Sequence, residues 1–392
     1  MFLAWRDLWR SWRRFLLVGV VVGLVAVLST VLAGLADGLV RDGTSGLRSL
    51  PLDHLAFAPN SQSVFSRSVL DQAALDEWRQ VDGVEVSPVG VSFVNAAPVE
   101  AGPSLDLALF GVPADSFLVE RPEARQALAG APGLVLASEL QDEGVQVGDE
   151  YRVAGYDEPL PVLGFTFAGS YGHVPLAYTS LATWQAINYG GDPQGRFSAI
   201  ALDVPSGTDL TAVDAAAGTE TVTKTQAYDG SPGYSAETAT MTLIRSFLVV
   251  ISALVVGAFF TVLAVQRTRQ VGLLKAMGAS SRYVLVDAVG QMTLVVVAAT
   301  AVGSLVGAGL TALLAGGSAP IDLSLRGVVT TALVLVVAQE LLDLLFVLRA
   351  VDAADNVGQI GGFDLAQLVK KVGLDHAAML TIQETGDLTQ VN

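Results

Sequence analysis

Gln266-Arg-Thr-Arg-Gln-Val-Gly-Leu-Leu-Lys-Ala-Met-Gly-Ala-Ser280 is a short basic stretch set between two long apolar runs, and its reading decides the fold. The run before it, Ser246 to Val265, carries no charge, and after Arg282 the chain returns to largely apolar sequence for more than thirty residues. The stretch must therefore sit at a membrane face. Its cations Arg267, Arg269 and Lys275, with Arg282 just beyond, mark that face as cytoplasmic, because Lys and Arg concentrate in cytoplasmic loops. Val271, Leu274, Met277 and Gly278 recur at helical spacing, which predicts one apolar and one basic edge on a segment spanning 266–282. Such an edge suits the docking of a soluble partner.

Working outward, the apolar runs are long enough to cross a bilayer. Between Arg14 and Asp37 lie 22 uncharged residues, which at ~1.5 Å per helical residue span a hydrocarbon core of ~30 Å. Three further spans are expected at 243–265, 284–314 and 328–348, giving four transmembrane helices with the first at 15–36. Composition agrees: 52% of the residues are hydrophobic and only 15% charged, few for a soluble globular chain. A small-x-small pattern at Gly34 and Ala36 raises the alternative of a cleaved signal peptide, but the apolar run exceeds a signal core and further spans follow, so a retained anchor is the simpler expectation.

The net charge of −16 is uneven. Residues 37 to 237 hold 27 acidic and 9 basic side chains, whereas the remainder is slightly basic. Arg6, Arg10, Arg13 and Arg14 against Asp7 place residues 1–14 in the cytoplasm and the acidic block outside; the 349–392 tail then returns to the cytoplasm. The chain is expected to be a multi-pass protein of a bacterial plasma membrane. An acidic exterior argues against nucleic acid as a partner. With no cysteine there are no disulfides, thiolate metal sites or thiol nucleophile.

Residues 37–240 are polar and turn-rich enough to form one soluble domain. Short apolar runs such as Gly133-Leu-Val-Leu-Ala137, Glu150-Tyr-Arg-Val-Ala154, Leu160-Pro-Val-Leu-Gly164 and Ala199-Ile-Ala-Leu-Asp-Val204 predict strands, and Leu70 to Arg79 and Thr179 to Ile187 predict helices. The expected fold is thus an α-helical membrane protein with one α+β extracytoplasmic domain between helices 1 and 2. A connector at 228–235 leads to the second span, and a short external loop at 315–327 joins the third to the fourth.

This order resembles the FtsX-like or MacB-like (type VII) permeases of ATP-binding-cassette transporters. The opening Phe2-Leu-Ala-Trp-Arg-Asp-Leu-Trp-Arg10 carries the resemblance, as does Arg267 to Ser280, which is similar to the family's R-x-x-E-x-x-x-L-[RK]-A-x-G-A-S except that Gln270 stands where an acid is usual. The N-terminal third is most similar to the HrtB haem-exporter branch, through Phe2 to Leu8, Leu32 to Leu39, Leu50-Pro-Leu-Asp-His54 and Ser66-Arg-Ser-Val-Leu70. The resemblance implies a non-catalytic permease working as a homodimer with a cytoplasmic ATPase. Arg267, Arg269, Val271, Leu274, Lys275, Met277 and Gly278 would couple the two, and the partner would bind ATP and Mg. The chain itself has no G-x-x-x-x-G-K-[ST] phosphate loop.

The same resemblance makes haem a candidate substrate and no cofactor or metal an expectation for this chain. His54, Arg67, Met241, Ser29 and Thr30 form a candidate substrate cleft, Arg67 being available for a propionate, while His173 is expected to be structural. The alternatives are an FtsX-like mechanotransmitter acting on a cell-wall hydrolase, a lipoprotein-releasing permease, and a receptor without an ATPase. Small-xxx-small patterns at Gly19, Gly23, Gly34 and Gly38, and again among Gly303, Gly307 and Gly309, fit close helix contact either in a dimer or within one subunit. Glu340 and Asp343, at i and i+3 in the fourth apolar run, are expected to be structural, pairing with Arg349 or capping the connector, in preference to carrying protons; Asp287 and Gln291 are expected to be structural too. Ala366 to Leu374 fits either a short amphipathic helix on the membrane or the ATPase or a poorly ordered tail.

Overall fold

The computed structural model describes residues 12–357 apart from 101, 168, 277–280 and 316–320. The chain divides into two compact units, one built from residues 34–243 with 314–323 and the other from the N-terminal part through 33 with 244–313 and 324 onward.

In chain order the elements are α1 (Trp12–Ser49), β1 (His54–Phe57), α2 (Gln72–Arg79), β2 (Glu85–Pro98), β3 (Leu105–Val112), α3 (Pro122–Leu128), β4 (Leu134–Ala137) and α4 (Glu139–Asp142). There follow β5 (Glu150–Val153), β6 (Leu160–Thr166), β7 (Ser170–Tyr171), β8 (Val174–Ser180), α5 (Leu181–Tyr189), β9 (Ala199–Asp203), α6 (Leu210–Ala217) and β10 (Glu220–Thr223). The long helices α7 (Tyr234–Ala276), α8 (Ser281–Leu314) and α9 (Leu325–Val357) complete the described elements.

In the polar unit the strands run β10-β1-β9-β2-β3-β8-β4-β6-β5, and a further pairing of β5 with β2 closes the last six into a ring. The length of β2 makes this possible. Glu85 to Val89 pair with β9, Gly90 to Ala96 with β3, and Ala96 to Pro98 with β5, so one strand serves both the open wing and the ring. Gly90 faces Gly111 across the β2–β3 ladder, and a Cβ on either would lie within 2.3 Å of the Trp184 side chain. The two glycines thus form the slot that seats α5, and the indole N–H of Trp184 donates to Ser92. A second buried set stacks Phe57, Phe65, Phe110, Tyr171 and Tyr178 largely edge to face, the arrangement aromatic quadrupoles favour.

Three differences from the sequence reading concern α1, α7 and the external loop. Helix α1 does not stop at residue 36; it continues through Asp37, Arg41, Asp42 and Arg48 to Ser49. The last short loop is no free connector, because Asp322 donates its N–H to the Gly34 carbonyl and pairs with Arg41 at 3.0 Å. Helix α7 begins in the expected connector at Tyr234 and runs to Ala276, so residues 266–276 of the basic stretch form its last turns.

Among the described residues three helical segments are long and apolar enough to cross a membrane, Leu16–Ser49, Tyr234–Ala258 and Gly290–Leu314. The fourth expected span lies on α9, whose side chains are described to Leu341. In the helical unit α1 packs on α8 through small residues. A Cβ on Gly303 would meet the Gly23 carbonyl at 2.3 Å, and one on Gly307 would meet Thr30 and the Val27 carbonyl at 2.8 and 2.9 Å. Gly19 faces Val295 and Ala299 in the same seam. These contacts are within one chain, and they use the glycines that also fitted a dimer contact.

Gly303→Ala is therefore expected to destabilise the solubilised protein by about 1–3 kcal/mol, the scale of overpacking. Gly309→Ala, where a Cβ meets nothing within 4 Å, should fall within about 0.5 kcal/mol of wild type. Thermal unfolding of the two variants in one detergent checks the contrast.

Candidate functional site

The sequence-derived candidates separate in the structure. His54 is not a loop residue: it opens β1 and is paired with Leu202 on one side and Thr223 on the other. Its Nδ1 is buried without a hydrogen-bond partner. Arg67 ends a 3-10 turn, is exposed, and donates to Gln62 at 2.8 Å. Met241 lies on α7, half-buried. Among the described residues no hydrogen bond or ion pair joins these three.

Ser29 and Thr30 are placed by the helix seam. Both are buried, and Thr30 fills the space over Gly307. Their hydroxyls make no hydrogen bond, and those of Thr300 and Ser304 on α8 are in the same condition. The structure thus turns these two residues into the packed interior of the helical unit, because small side chains are what the close approach of α8 requires.

Arg245 was overlooked although the signal was present: it is a lone cation at the start of the otherwise uncharged 243–265 run. From α7 its Nη2 donates to the Leu32 carbonyl of α1 at 3.4 Å, a long contact, and its Nε is buried without a partner. Among the described residues no carboxylate pairs with it. A guanidinium in an apolar span is costly and marks a functional position by default. Its planar donors match a carboxylate or phosphate.

Deeper in the helical unit, polar side chains tie three helices together. Gln339 of α9 donates to Ser252 of α7, and Thr293 of α8 donates to Glu340 of α9 at 2.8 Å. The second carboxyl oxygen of Glu340 and the amide oxygen of Gln339 are buried without partners. Gln291 is buried on α8. The expected partners Asp343 and Arg349 lie on α9, but their side chains, like that of Asp287, are outside those described.

Of the expected coupling residues, Arg267, Arg269, Val271, Leu274 and Lys275 occupy the final turns of α7. Met277 and Gly278 lie outside the described residues, as does the 366–374 segment. In the polar unit His173 lies between two carboxylates, Asp42 of α1 and Glu237 of α7. Lys224 donates to the Leu50 carbonyl just past the end of α1. Burial pulls this lysine below its ordinary value, with the Asp53 charge acting in the opposite direction. Burial likewise raises the Glu139 carboxyl, assisted by Asp42 and then Glu143. Among the described residues no group of three His, Asp or Glu side chains is arranged to hold a metal ion.

Comparison with known proteins places this geometry. Residues 243–350 match the family model described as FtsX-like permease C-terminal. A Staphylococcus haemolyticus protein, whose name describes it as a candidate hemin transport system permease HrtB, is 21% identical over 294 residues, covering 75% of this chain and 81% of its own. A Mycobacterium tuberculosis protein named only as an ABC transporter permease is 25% identical over 317 residues, covering 78% of this chain and 84% of its own. The solved extracellular domain of the noncanonic ABC-type transporter YknZ from Gram-positive bacteria aligns at 14% identity with a TM-score of 0.32, covering 44% of this chain and 98% of that domain. Residues 243–350 thus carry an FtsX-like permease C-terminal domain, and over about three quarters of its length the chain is similar to proteins named as permeases of transport systems.

The polar ties inside the helical unit give a direct test. Thr293→Val leaves a half-buried carboxylate without its donor and is expected to cost about 1–3 kcal/mol. Thr293→Ser keeps the hydroxyl and should recover most of the loss. Unfolding of both variants in detergent separates the hydrogen bond from simple volume.

Proposed function

We propose that this permease exports an amphipathic compound with an acidic head group, haem being the best single candidate, and that a separate cytoplasmic ATPase drives it by docking on 266–282. The observation that carries the reading is Arg245, a cation near one end of a membrane span with no carboxylate partner among the described residues. It moves the propionate-binding role from Arg67, which is exposed and bonded to Gln62, to a residue on the span itself. Similarity to hemin transport permeases over three quarters of the chain supports haem within the wider class of anionic amphiphiles. In this reading the N- and C-termini are cytoplasmic and the polar unit is outside. Two copies of the permease pair with two ATPase subunits, and ATP-driven closure of the ATPases moves α7 and α8 through the basic turns that end α7. Each state of the cycle must bind the exported compound differently, since only a differential affinity can bias the transition.

A second reading has its own support. Helix α1 runs without a break from apolar into charged sequence, a form suited to transmitting force to an external domain. A mechanotransmitter of this kind acts on a partner outside the cell and moves no substrate. Release of a lipoprotein and a receptor without an ATPase are the remaining alternatives.

The test is ATP hydrolysis by the permease with its cognate ATPase in nanodiscs, titrated with haemin. Haemin should stimulate hydrolysis. Arg245→Gln, by removing a charge-assisted contact worth about 1.5–3 kcal/mol, should raise the half-saturating haemin concentration by roughly tenfold or more. Leu274→Asp should abolish both stimulation and complex formation. Steady hydrolysis by an intact complex with no response to haemin would overturn the haem assignment and favour the mechanotransmitter. An unaltered response in Arg245→Gln would remove the anion role from this residue.

A further inference from the structure

His173 stands at the tip of the two-residue turn between β7 and β8. Both turn residues are left-handed, with φ +61° at Gly172 and +66° at His173, while Tyr171 pairs with Val174 across the hairpin. This is the backbone of a type I′ turn, whose second position ordinarily takes Gly, favoured there because it has no Cβ. A histidine is a costly occupant of that conformation. Its ring accounts for its presence.

The ring is held from both sides. Nδ1 lies 2.9 Å from Asp42 Oδ2 on α1, and Nε2 lies 3.1 Å from Glu237 Oε1 in the first turn of α7. Two glycines give it room: a Cβ on Gly43 would come to 3.4 Å from the ring, and one on Gly233 would come to 2.7 Å from the Glu237 carboxylate. The hairpin is pinned around it. Gly172 donates to the Gly43 carbonyl, the Ser170 hydroxyl donates to the Asp42 carbonyl, and Ser231 donates to Gly43 at 2.8 Å. Asp42 and Glu237, 195 positions apart in the chain, thus meet through one imidazole.

The hydrogen-bond inventory links the two contacts to the protons on the ring. A carboxylate only accepts, and a neutral imidazole carries one N–H. Both contacts are made together only when both ring nitrogens are protonated. Asp42 and Glu237 flank the ring, and beyond them the charges of Asp42 and Glu143 act on Glu139. The nearby cations are engaged elsewhere, Arg41 with Asp322 and Arg48 with Thr44 and the face of Tyr228. A metal ion does not replace the proton here, because the two nitrogens point at opposite carboxylates and the three side chains do not converge on one point.

We infer that His173 is a positioning residue that clasps the charged end of α1 to the first turn of α7, and that the clasp is complete only in its doubly protonated form. On deprotonation one nitrogen loses its hydrogen and faces a carboxylate as a bare acceptor, so one of the two links is released. The clasp ties together the polar ends of the two helices that lead into and out of the polar unit, and it makes their coupling depend on external pH in the orientation proposed above. The clasp itself does not depend on which compound is exported.

Hydrogen exchange of the full-length chain in nanodiscs tests this, read on peptides covering 38–46 and 233–241. Rates are corrected for intrinsic exchange and compared at about pH 5.5 and about pH 8, either side of the ordinary histidine value of ~6.5. Wild type should lose protection in both segments together on going to the higher pH, by roughly tenfold, the scale of one charge-assisted hydrogen bond. His173→Gln should remove the step and hold both segments at the high-pH level. Should that variant fail to fold, Asp42→Asn and Glu237→Gln read the same property, each abolishing the step or moving it to lower pH. A wild type without the step, or a step that persists in His173→Gln, would overturn the inference. Neither result bears on haemin stimulation, which tests the export reading separately.

Discussion

The absence of a side chain at Gly303 and Gly307 is the constraint on which the helical unit rests. Between apolar helices in lipid there is little hydrophobic gain from association, so packing and interhelical hydrogen bonds must supply the attraction. Two glycines on α8 bring its backbone against Gly23 and Val27 of α1, and Ser29 and Thr30 are buried as a result. Hydrogen bonds then extend the bundle: Thr293 to Glu340 and Gln339 to Ser252 join α9 to α8 and α7. The polar side chains in these spans are therefore mostly structural, and Arg245 differs from them in having a buried nitrogen with nothing to donate to.

The polar unit meets the corresponding problem with a long, bent strand. Most residues of β2 contribute to a ladder, and the strand changes partner from β9 to β3 to β5 along its length. Its two sides are then closed by different cores, an aromatic set around Phe110 and Tyr171 and an aliphatic set around Leu107 and Leu136 with Trp78 and Trp184. The indole N–H of each tryptophan is satisfied by a hydroxyl, Thr219 for Trp78 and Ser92 for Trp184. Large rings can be buried here because their polar edges are paired.

What was legible in the sequence followed from local periodicity. The helix expected at Leu70 to Arg79 forms from Gln72, after an Asp71 side chain that caps it, and the strands expected near 134, 150, 160 and 199 are all present. Chain-local signals failed where tertiary contacts decide. The charged residues after Asp37 suggested a domain boundary, and the units do divide close by, at 33/34, but α1 runs on past it because its exposed and polar turns are held by Ser170, His173 and Asp322 from far along the chain. β2 was not among the expected strands, and its Gly90 is set by a partner distant in sequence, Trp184, which seats there. His54 looked like a free loop residue and is a ladder residue, since β9 and β10 arrive on either side of it from 145 or more residues away.

The candidate site was less legible for a physical reason. A side chain's chemistry can be read from its type, but its availability depends on what the fold gives it as a partner. Arg67 has Gln62, Ser29 and Thr30 have the helix seam, and His173 has two carboxylates. Arg245 has one long bond to a backbone carbonyl, which already serves its own helix, so the contact is a weak competitor for a charged ligand. An anion reaching this guanidinium exchanges a neutral acceptor for an ionic one in surroundings poor in water, where charge-assisted bonds are about twice as strong as neutral ones. In the proposed export reading, that difference would favour the acidic end of an amphiphile over a wholly apolar one and would put the chemical selectivity on the span itself.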